Sequence, residues 1–176
     1  KLLKQKGFST LVGDEGGYAA KLKSNEEALK LIMQAITSAG YKPGRDVKLG
    51  MDPASSEFYD ELSHRYNLRA DKKILTGDQM IKMYQNWAKK YPLTMIEDAL
   101  AQDDWDNWAK ITKVMGKSTT LVGDDLFVTN SERLQKGIDM HIANALLVKV
   151  NQIGTLTESI DAILLAQSHG YKINVS

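Results

Sequence analysis

Acidic residues and one lysine follow apolar, strand-like runs along the chain, and these are the residues that could do chemistry. Four runs end in acids, and a fifth carries a lysine: LVGDEGG (11–17), VKLGMD (47–52), LTMIED (93–98), TTLVGDD (119–125) and ALLVKVNQ (145–152). If the runs are strands of one parallel sheet, their carboxyl ends meet at one edge, and the charged groups meet there too.

Asp52, Glu97 and Asp124 are the candidate metal ligands. Three carboxylates at one edge repel one another unless they are protonated or neutralised by a cation. A set of oxygen ligands without Cys or His suits Mg²⁺, which binds through a few carboxylates and substrate oxygens. The alternative is structural, because a strand-end acid can also cap the next helix or pair with a lysine. Asp125, next to Asp124, is a candidate for supporting the ligands.

Lys149 and Glu15 are the candidate acid–base groups. Alternation along LLVKV places Lys149 on the opposite face from its neighbours, which in a barrel points it towards the acids. A desolvated lysine beside a cation has a lowered pKa and can act as a general base. The alternative is a structural ion pair with one of the acids. Glu15 lies in GDEGG, a tight turn that could hold its carboxylate at the mouth or be an ordinary turn.

The elements that must position these residues alternate between strand-like and helix-like patterns. A sixth run, KINVS (172–176), completes six strands, and five amphipathic helices are predicted at 24–40, 77–91, 103–116, 129–139 and 154–170. Ser24 or Asn25, Thr76 or Asp78, and Thr129 or Asn130 are their expected N-caps. On the last helix, Leu156, Ile160, Ile163 and Leu164 form one apolar side.

Strict alternation favours a parallel α/β sheet, either a β/α barrel or an open doubly wound sheet. The catalytic candidates come from several different strand ends, which is typical of a barrel. A doubly wound sheet would concentrate them at one switch point. We therefore predict part of a (β/α) TIM barrel, with an insertion after Asp52 that contains a small hairpin from Tyr66 to Ile74.

Composition narrows the function classes further. The chain has 176 residues, a net charge of +1 and no cysteine. A nearly neutral chain has no field that would favour nucleic acid. No apolar run approaches the roughly 20 residues of a membrane span, and the first residues lack the apolar core of a signal peptide. The expected location is the cytoplasm.

Five longer motifs together resemble the enolase (phosphopyruvate hydratase) family. They are VGDEGGYA, GMDPASSEFY, MIEDALAQDDW, LVGDDLFVTN and LLVKVNQIGTLTES, and they occur in the family's order across nearly the whole chain. The resemblance is to the family's carboxy-terminal catalytic barrel domain. It implies that residues 1–176 are an incomplete copy of this domain without the amino-terminal domain.

The resemblance also implies an activity, the Mg²⁺-dependent dehydration of 2-phosphoglycerate to phosphoenolpyruvate in glycolysis and the reverse reaction in gluconeogenesis. Asp52, Glu97 and Asp124 look like the Mg²⁺ ligands, Lys149 like the base that removes the C2 proton, and Glu15 like the acid that helps hydroxide leave. A lysine base with Mg²⁺ is a known pattern of the enolase superfamily. A homodimer is expected for the full-length protein, and no activity for this fragment alone.

Two other functions remain open. One is that of another superfamily enzyme that dehydrates a different acid, such as a sugar acid. The other is that of a non-catalytic, enolase-like binding protein. GDEGG and KVNQIG weigh against the first, and the intact set of acids and Lys149 weighs against the second.

Overall fold

The computed structural model describes residues 1–14 and 16–176. These form two units, one of Lys1–Lys48 with Leu68–Lys73 and the other of Leu49–Asn67 with Ile74–Ser176. The second unit holds the sheet and four of the predicted site residues. Glu15, the fifth, lies outside the described residues.

Helices and strands alternate through most of the second unit. In chain order the helices are α1 (Leu2–Gln5), α2 (Asn25–Ser38), α3 (Gly77–Lys90), α4 (Trp105–Met115), α5 (Ser131–Asp139), α6 (Val150–Ile153) and α7 (Leu156–Ser168). The strands are β1 (Leu49–Met51), β2 (Tyr59–Asp60), β3 (Arg65–Leu68), β4 (Lys73–Leu75), β5 (Leu93–Glu97), β6 (Thr120–Gly123), β7 (Ala145–Val148) and β8 (Lys172–Val175).

A parallel sheet of five strands organises the second unit. Its order is β1-β5-β6-β7-β8, and every neighbouring pair is parallel. The strands therefore follow one another across the sheet without the reversal of order that defines a switch point in a doubly wound fold. This arrangement confirms the predicted α/β class and agrees with part of a (β/α) barrel.

The prediction of six strands is wrong at its first run. Among the described residues of this run, 11–14 and 16–17, none belongs to a strand, and Val12 forms only an isolated antiparallel bridge with Tyr18. Next to this bridge, the Gly13 amide donates to the Gly17 carbonyl at 2.8 Å. Leu11 and Val12 are 76% and 59% exposed, so this run lacks the apolar burial that a parallel-sheet strand needs.

The insertion after Asp52 folds as predicted and contains one additional strand. β2, β3 and β4 form a three-stranded sheet, with Tyr59 opposite Tyr66 in an antiparallel pair. The Tyr66 ring is fully buried and packs on Tyr59 at a centroid distance of 4.7 Å. Its hydroxyl donates to Asp104 at 2.6 Å, which ties the insertion to the segment before α4.

The predicted helices are present, and three of their N-caps are among the expected residues. The side chains of Ser24, Thr76 and Asn130 accept backbone N–H groups at the starts of α2, α3 and α5. These oxygens satisfy donors that the first helical turn leaves unpaired. The longest helices, α2 and α3, have 14 residues, and no helix in the described part of the chain is long and apolar enough to cross a membrane.

Most of the apolar side predicted for α7 is not the side that packs. Leu156, Ile160 and Leu164 are 65%, 44% and 58% exposed, and Ile163 is half-buried. The buried residues of α7 are instead Ser159, Ala162 and Ala166. Small side chains let the helix axis approach its neighbours closely, so α7 packs through them.

Phe127, in the segment between β6 and α5, fills a space that two glycines leave open. A Cβ atom at Gly123 would lie 2.5 Å from Phe127 Cδ2, and one at Gly137 would lie 2.5 Å from Phe127 Cε1. Phe127 is fully buried, so its ring cannot swing into solvent to relieve such a clash. Gly123 precedes Asp124, and this packing therefore sets the path of the chain into the site.

We predict that Gly137→Ala lowers the free energy of unfolding by about 1–3 kcal/mol, because the added methyl overpacks the Phe127 ring. Helix propensity alone predicts the opposite, a gain of about 1 kcal/mol, since Gly137 lies inside α5. Urea unfolding measures the difference. In a Phe127→Leu background the same substitution should cost less, and a Gly137→Ala protein at least as stable as the parent would contradict the packing argument.

Candidate functional site

Four of the five predicted site residues lie at the carboxyl edge of the parallel sheet. Glu97 is the last residue of β5, while Asp52, Asp124 and Lys149 directly follow β1, β6 and β7. These strands are neighbours in the order β1-β5-β6-β7. The structure therefore brings together residues that are far apart in the sequence, as predicted from the strand-like runs.

Lys149 and Asp124 form a short ion pair in the site. The Lys149 ammonium donates to Asp124 Oδ2 at 2.6 Å, and the Gln152 side-chain amide donates to Asp124 Oδ1 at 3.1 Å. Asp124 is 8% exposed, so both of its oxygens are held in a nearly buried place. The ion pair that was the alternative interpretation of Lys149 is present, and its catalytic role stays a prediction.

Lys149 lies just beyond β7, and its pKa is raised by the acids around it. β7 ends at Val148, so Lys149 lies just beyond the strand and precedes α6, with an extended backbone at φ −124° and ψ 107°. The hydrogen bond that Lys149 donates to Asp124 raises the pKa of Lys149, and the charges of Asp124, Glu97 and Asp125 raise it further. The protein's own groups therefore favour the protonated lysine, whereas the lowered pKa expected from the sequence is that of a lysine beside a bound cation.

The pKa of Glu97 shows that the carboxylates of the site interact electrostatically. Burial raises the pKa of Glu97 to about 7, and the charges of Asp52 and Asp124 raise it too, while Lys149 opposes them. A raised pKa means that the ionised form of Glu97 is unfavourable among its neighbours. This excess of negative charge is what a divalent cation would relieve, and carboxylate oxygens are its preferred ligands.

Asp98 is a site residue that the sequence analysis missed. It is 3% exposed, and its carboxylate accepts the backbone N–H groups of Asp124 at 3.1 Å, Asp125 at 2.8 Å and Leu126 at 3.5 Å. Its backbone has a φ of 41°, in the left-handed region. Burial raises the pKa of Asp98 to about 7, against the lowering effect of these backbone donors. The carboxylate therefore holds the chain after β6 in place.

The signal for Asp98 in the sequence was weak. It follows Glu97 directly, and the sequence offers both acids at one strand end. Nothing in the pattern says which of the two turns towards the site and which turns towards the next loop. Only the position of the 124–126 backbone distinguishes them.

Three aspartates could hold a metal ion. Asp98, Asp124 and Asp125 each offer a carboxylate oxygen, and these oxygens lie within 4.8 Å of one another. Asp124 is shared with the predicted set of Asp52, Glu97 and Asp124. Asp98 already accepts three backbone donors, so its oxygens are less available to an ion.

A buried serine connects the loops that carry the first two acids. Ser55 is fully buried, its backbone amide donates to the Asp98 carbonyl at 3.2 Å, and its hydroxyl donates to the Ala99 carbonyl at 2.9 Å. Upstream in the same loop, the Ala54 amide donates to Asp52 Oδ1 at 2.9 Å. The position of Asp52 is thereby tied to the loop after β5.

The arrangement can hold a hard divalent cation and place an amine beside it, which suits the removal of a weakly acidic proton. The comparison with known families agrees with this chemistry. The model of the family described as enolase, C-terminal TIM barrel domain, matches residues 1–176. Membership of this family indicates an enzyme of the lyase type. On the fold, the strand-end acids and this match over the whole chain, the protein belongs to the family of enolase C-terminal TIM barrel domains.

Proposed function

We propose that this protein catalyses the dehydration of 2-phosphoglycerate to phosphoenolpyruvate and its reverse. The observation that carries the proposal is the Lys149 ammonium 2.6 Å from Asp124, at the same sheet edge as Asp52 and Glu97. This arrangement places a group that can exchange protons beside a cluster of oxygen ligands. The motifs of the chain, GDEGG and KVNQIG among them, favour this substrate over a sugar acid.

Asp52, Glu97 and Asp124 are the residues that would hold Mg²⁺. They fit the ion because all three offer carboxylate oxygens and because burial, together with the charges of Asp52 and Asp124, raises the pKa of Glu97 to about 7. Bound Mg²⁺ supplies positive charge that stabilises the negative charge developing on the substrate carboxylate when the adjacent C–H proton is removed. Asp98 supports the set by holding the backbone of Asp124 and Asp125.

Lys149 is the proposed general base, which takes the proton from C2 of the substrate. A base must be unprotonated, and the pairing with Asp124 raises the pKa of Lys149. The proposal therefore requires the negative charge of Asp124 to be neutralised when substrate is bound. Glu15, outside the described residues, is the proposed acid that donates a proton to the hydroxyl leaving C3, so that water departs.

We predict that Lys149→Ala lowers kcat by about 10²–10⁴-fold, the usual contribution of a general base, while Mg²⁺ binding is retained. Formation of phosphoenolpyruvate from 2-phosphoglycerate, followed by its ultraviolet absorbance in the full-length protein, measures turnover. Calorimetry measures Mg²⁺ binding.

The matched control is Lys172→Ala. Lys172 is the first residue of β8, at the opposite edge of the sheet, where its ammonium donates to Thr120 at 2.9 Å. This variant should keep its turnover. Near-normal turnover by Lys149→Ala would refute the base assignment, and a protein that dehydrates a sugar acid but not 2-phosphoglycerate would refute the substrate assignment.

We also predict that Mg²⁺ binds more weakly in acid. The pKa of Glu97 is raised to about 7, so Glu97 is mostly ionised above this pH and mostly protonated below it. Since a protonated carboxyl is a poor ligand, the Kd for Mg²⁺ should rise about tenfold from about pH 8 to about pH 6. Calorimetric titration at the two pH values measures this change.

Glu97→Gln provides the control for the pH effect. The amide cannot ionise, so this variant should bind Mg²⁺ weakly at both pH values and lose most of the difference between them. An unchanged pH dependence in Glu97→Gln would show that Glu97 is not the group that competes with the ion.

A further inference from the structure

Thr129 lies in an unusual backbone conformation beside the site. It follows Val128 in the segment between β6 and α5. The φ angle is 45° at Val128 and 56° at Thr129. Left-handed backbone is rare for β-branched residues, because the branched Cβ crowds the neighbouring carbonyl. Glycine or asparagine would fit position 129 with less strain, so a threonine there calls for a reason in its side chain.

The Thr129 hydroxyl is fully buried and joins two residues of the site. The backbone amide of Lys149 donates to Thr129 Oγ1 at 2.9 Å. The same hydroxyl lies 3.1 Å from Gln152 Oε1 and 3.4 Å from the Leu147 carbonyl. Because a hydroxyl has a single proton to donate, the shorter contact identifies Gln152 as its main acceptor.

The direction of each hydrogen bond follows from the chemistry of Asp124. An ionised carboxylate only accepts, so the Gln152 amide must turn its NH₂ towards Asp124, at 3.1 Å, and its carbonyl oxygen towards Thr129. The resulting ring runs from the Lys149 amide through Thr129 and Gln152 to Asp124. It closes through the Lys149 ammonium at 2.6 Å from Asp124.

We propose that Thr129 is a positioning residue, which holds the backbone of Lys149 and the amide of Gln152 so that Lys149 and Asp124 keep a fixed relative position. The inference rests on the proposed function for its effect on catalysis, but the ring itself does not depend on the substrate. The strained backbone of Val128 and Thr129 is retained because it places this hydroxyl between the loops after β6 and β7.

Two substitutions separate the effect of the Thr129 hydroxyl from the effect of the strained backbone. Thr129→Gly relieves the left-handed conformation but removes the hydroxyl, whereas Thr129→Ser keeps the hydroxyl. In the full-length protein with Mg²⁺, we expect Thr129→Gly to lower kcat by about 10–100-fold, as loss of partners that orient site residues commonly does, with KM within about twofold of the parent. Thr129→Ser should recover most of the turnover.

Thr112→Val is the matched control for loss of a threonine hydroxyl that accepts a backbone amide; Thr112 is half-buried. Thr112 Oγ1 also accepts a backbone amide, that of Ala143 at 2.8 Å, and donates to the Trp108 carbonyl at 2.8 Å, but it lies on α4 and takes no part in the ring. This variant should lower the thermal midpoint and leave kcat unchanged. The midpoint of Thr129→Gly should fall no further than that of Thr112→Val.

A second measurement reports the ring without any substrate. Hydrogen exchange of the Lys149 amide should become faster in Thr129→Gly and stay slow in Thr129→Ser. If the parent protein does not turn over 2-phosphoglycerate, the proposed function fails and exchange alone decides the role of Thr129. A Thr129→Gly protein with parental kcat, a Thr129→Ser protein as slow as Thr129→Gly, or unchanged exchange in Thr129→Gly would overturn the inference.

Discussion

The ion pair between Lys149 and Asp124 offsets part of the negative charge that the parallel sheet gathers at one edge. Strands that run in the same direction must end at the same edge, so the acids after β1, β5 and β6 cannot avoid one another. The pKa of Glu97, raised to about 7 by burial and by its acidic neighbours, shows that this grouping is unfavourable without compensation. A site that is costly for the protein alone is suited to a ligand that carries positive charge.

Backbone donors provide a second source of compensation. Three successive N–H groups, from residues 124 to 126, point at the Asp98 carboxylate. Those of Asp125 and Asp124 lower the pKa of Asp98, which burial raises. Asp98 thereby fixes the conformation of the loop that contains Asp124. Ser55 and Thr129 act similarly on the neighbouring loops, and both are fully buried. Their hydrogen bonds join consecutive loops, so each strand-end residue is positioned partly by hydrogen bonds to the neighbouring loop.

Backbone strain also occurs in these loops. Ala54, Asp98, Val128 and Thr129 all have positive φ, and each follows the end of a strand of the parallel sheet. Such conformations persist only where the surrounding contacts over-determine them. At Asp98 and Thr129 the side chain provides those contacts. These two residues therefore combine an unfavourable backbone conformation with favourable side-chain hydrogen bonds.

The periodic patterns of the sequence predicted most elements, but not all of their packing. In α7, large apolar residues and small residues both recur at helical spacing, and the pattern alone favoured Leu156, Ile160 and Leu164 as the packed side. The structure buries Ser159, Ala162 and Ala166 instead. The run at 11–17 has the apolar start of a strand, but its exposed Leu11 and Val12 show that an apolar run becomes a parallel strand only where neighbours cover it.

What the sequence determined by itself was the kind of site and its place at the strand ends. Residue identity and apolar runs are local properties, and parallel strands then bring Asp52, Glu97, Asp124 and Lys149 to one edge. Only the tertiary structure decided that Asp98 supports the next loop, that Lys149 is paired and protonated, and that Thr129 joins Lys149 to Gln152. These depend on distances of about 3 Å between loops, which no spacing along the chain can specify.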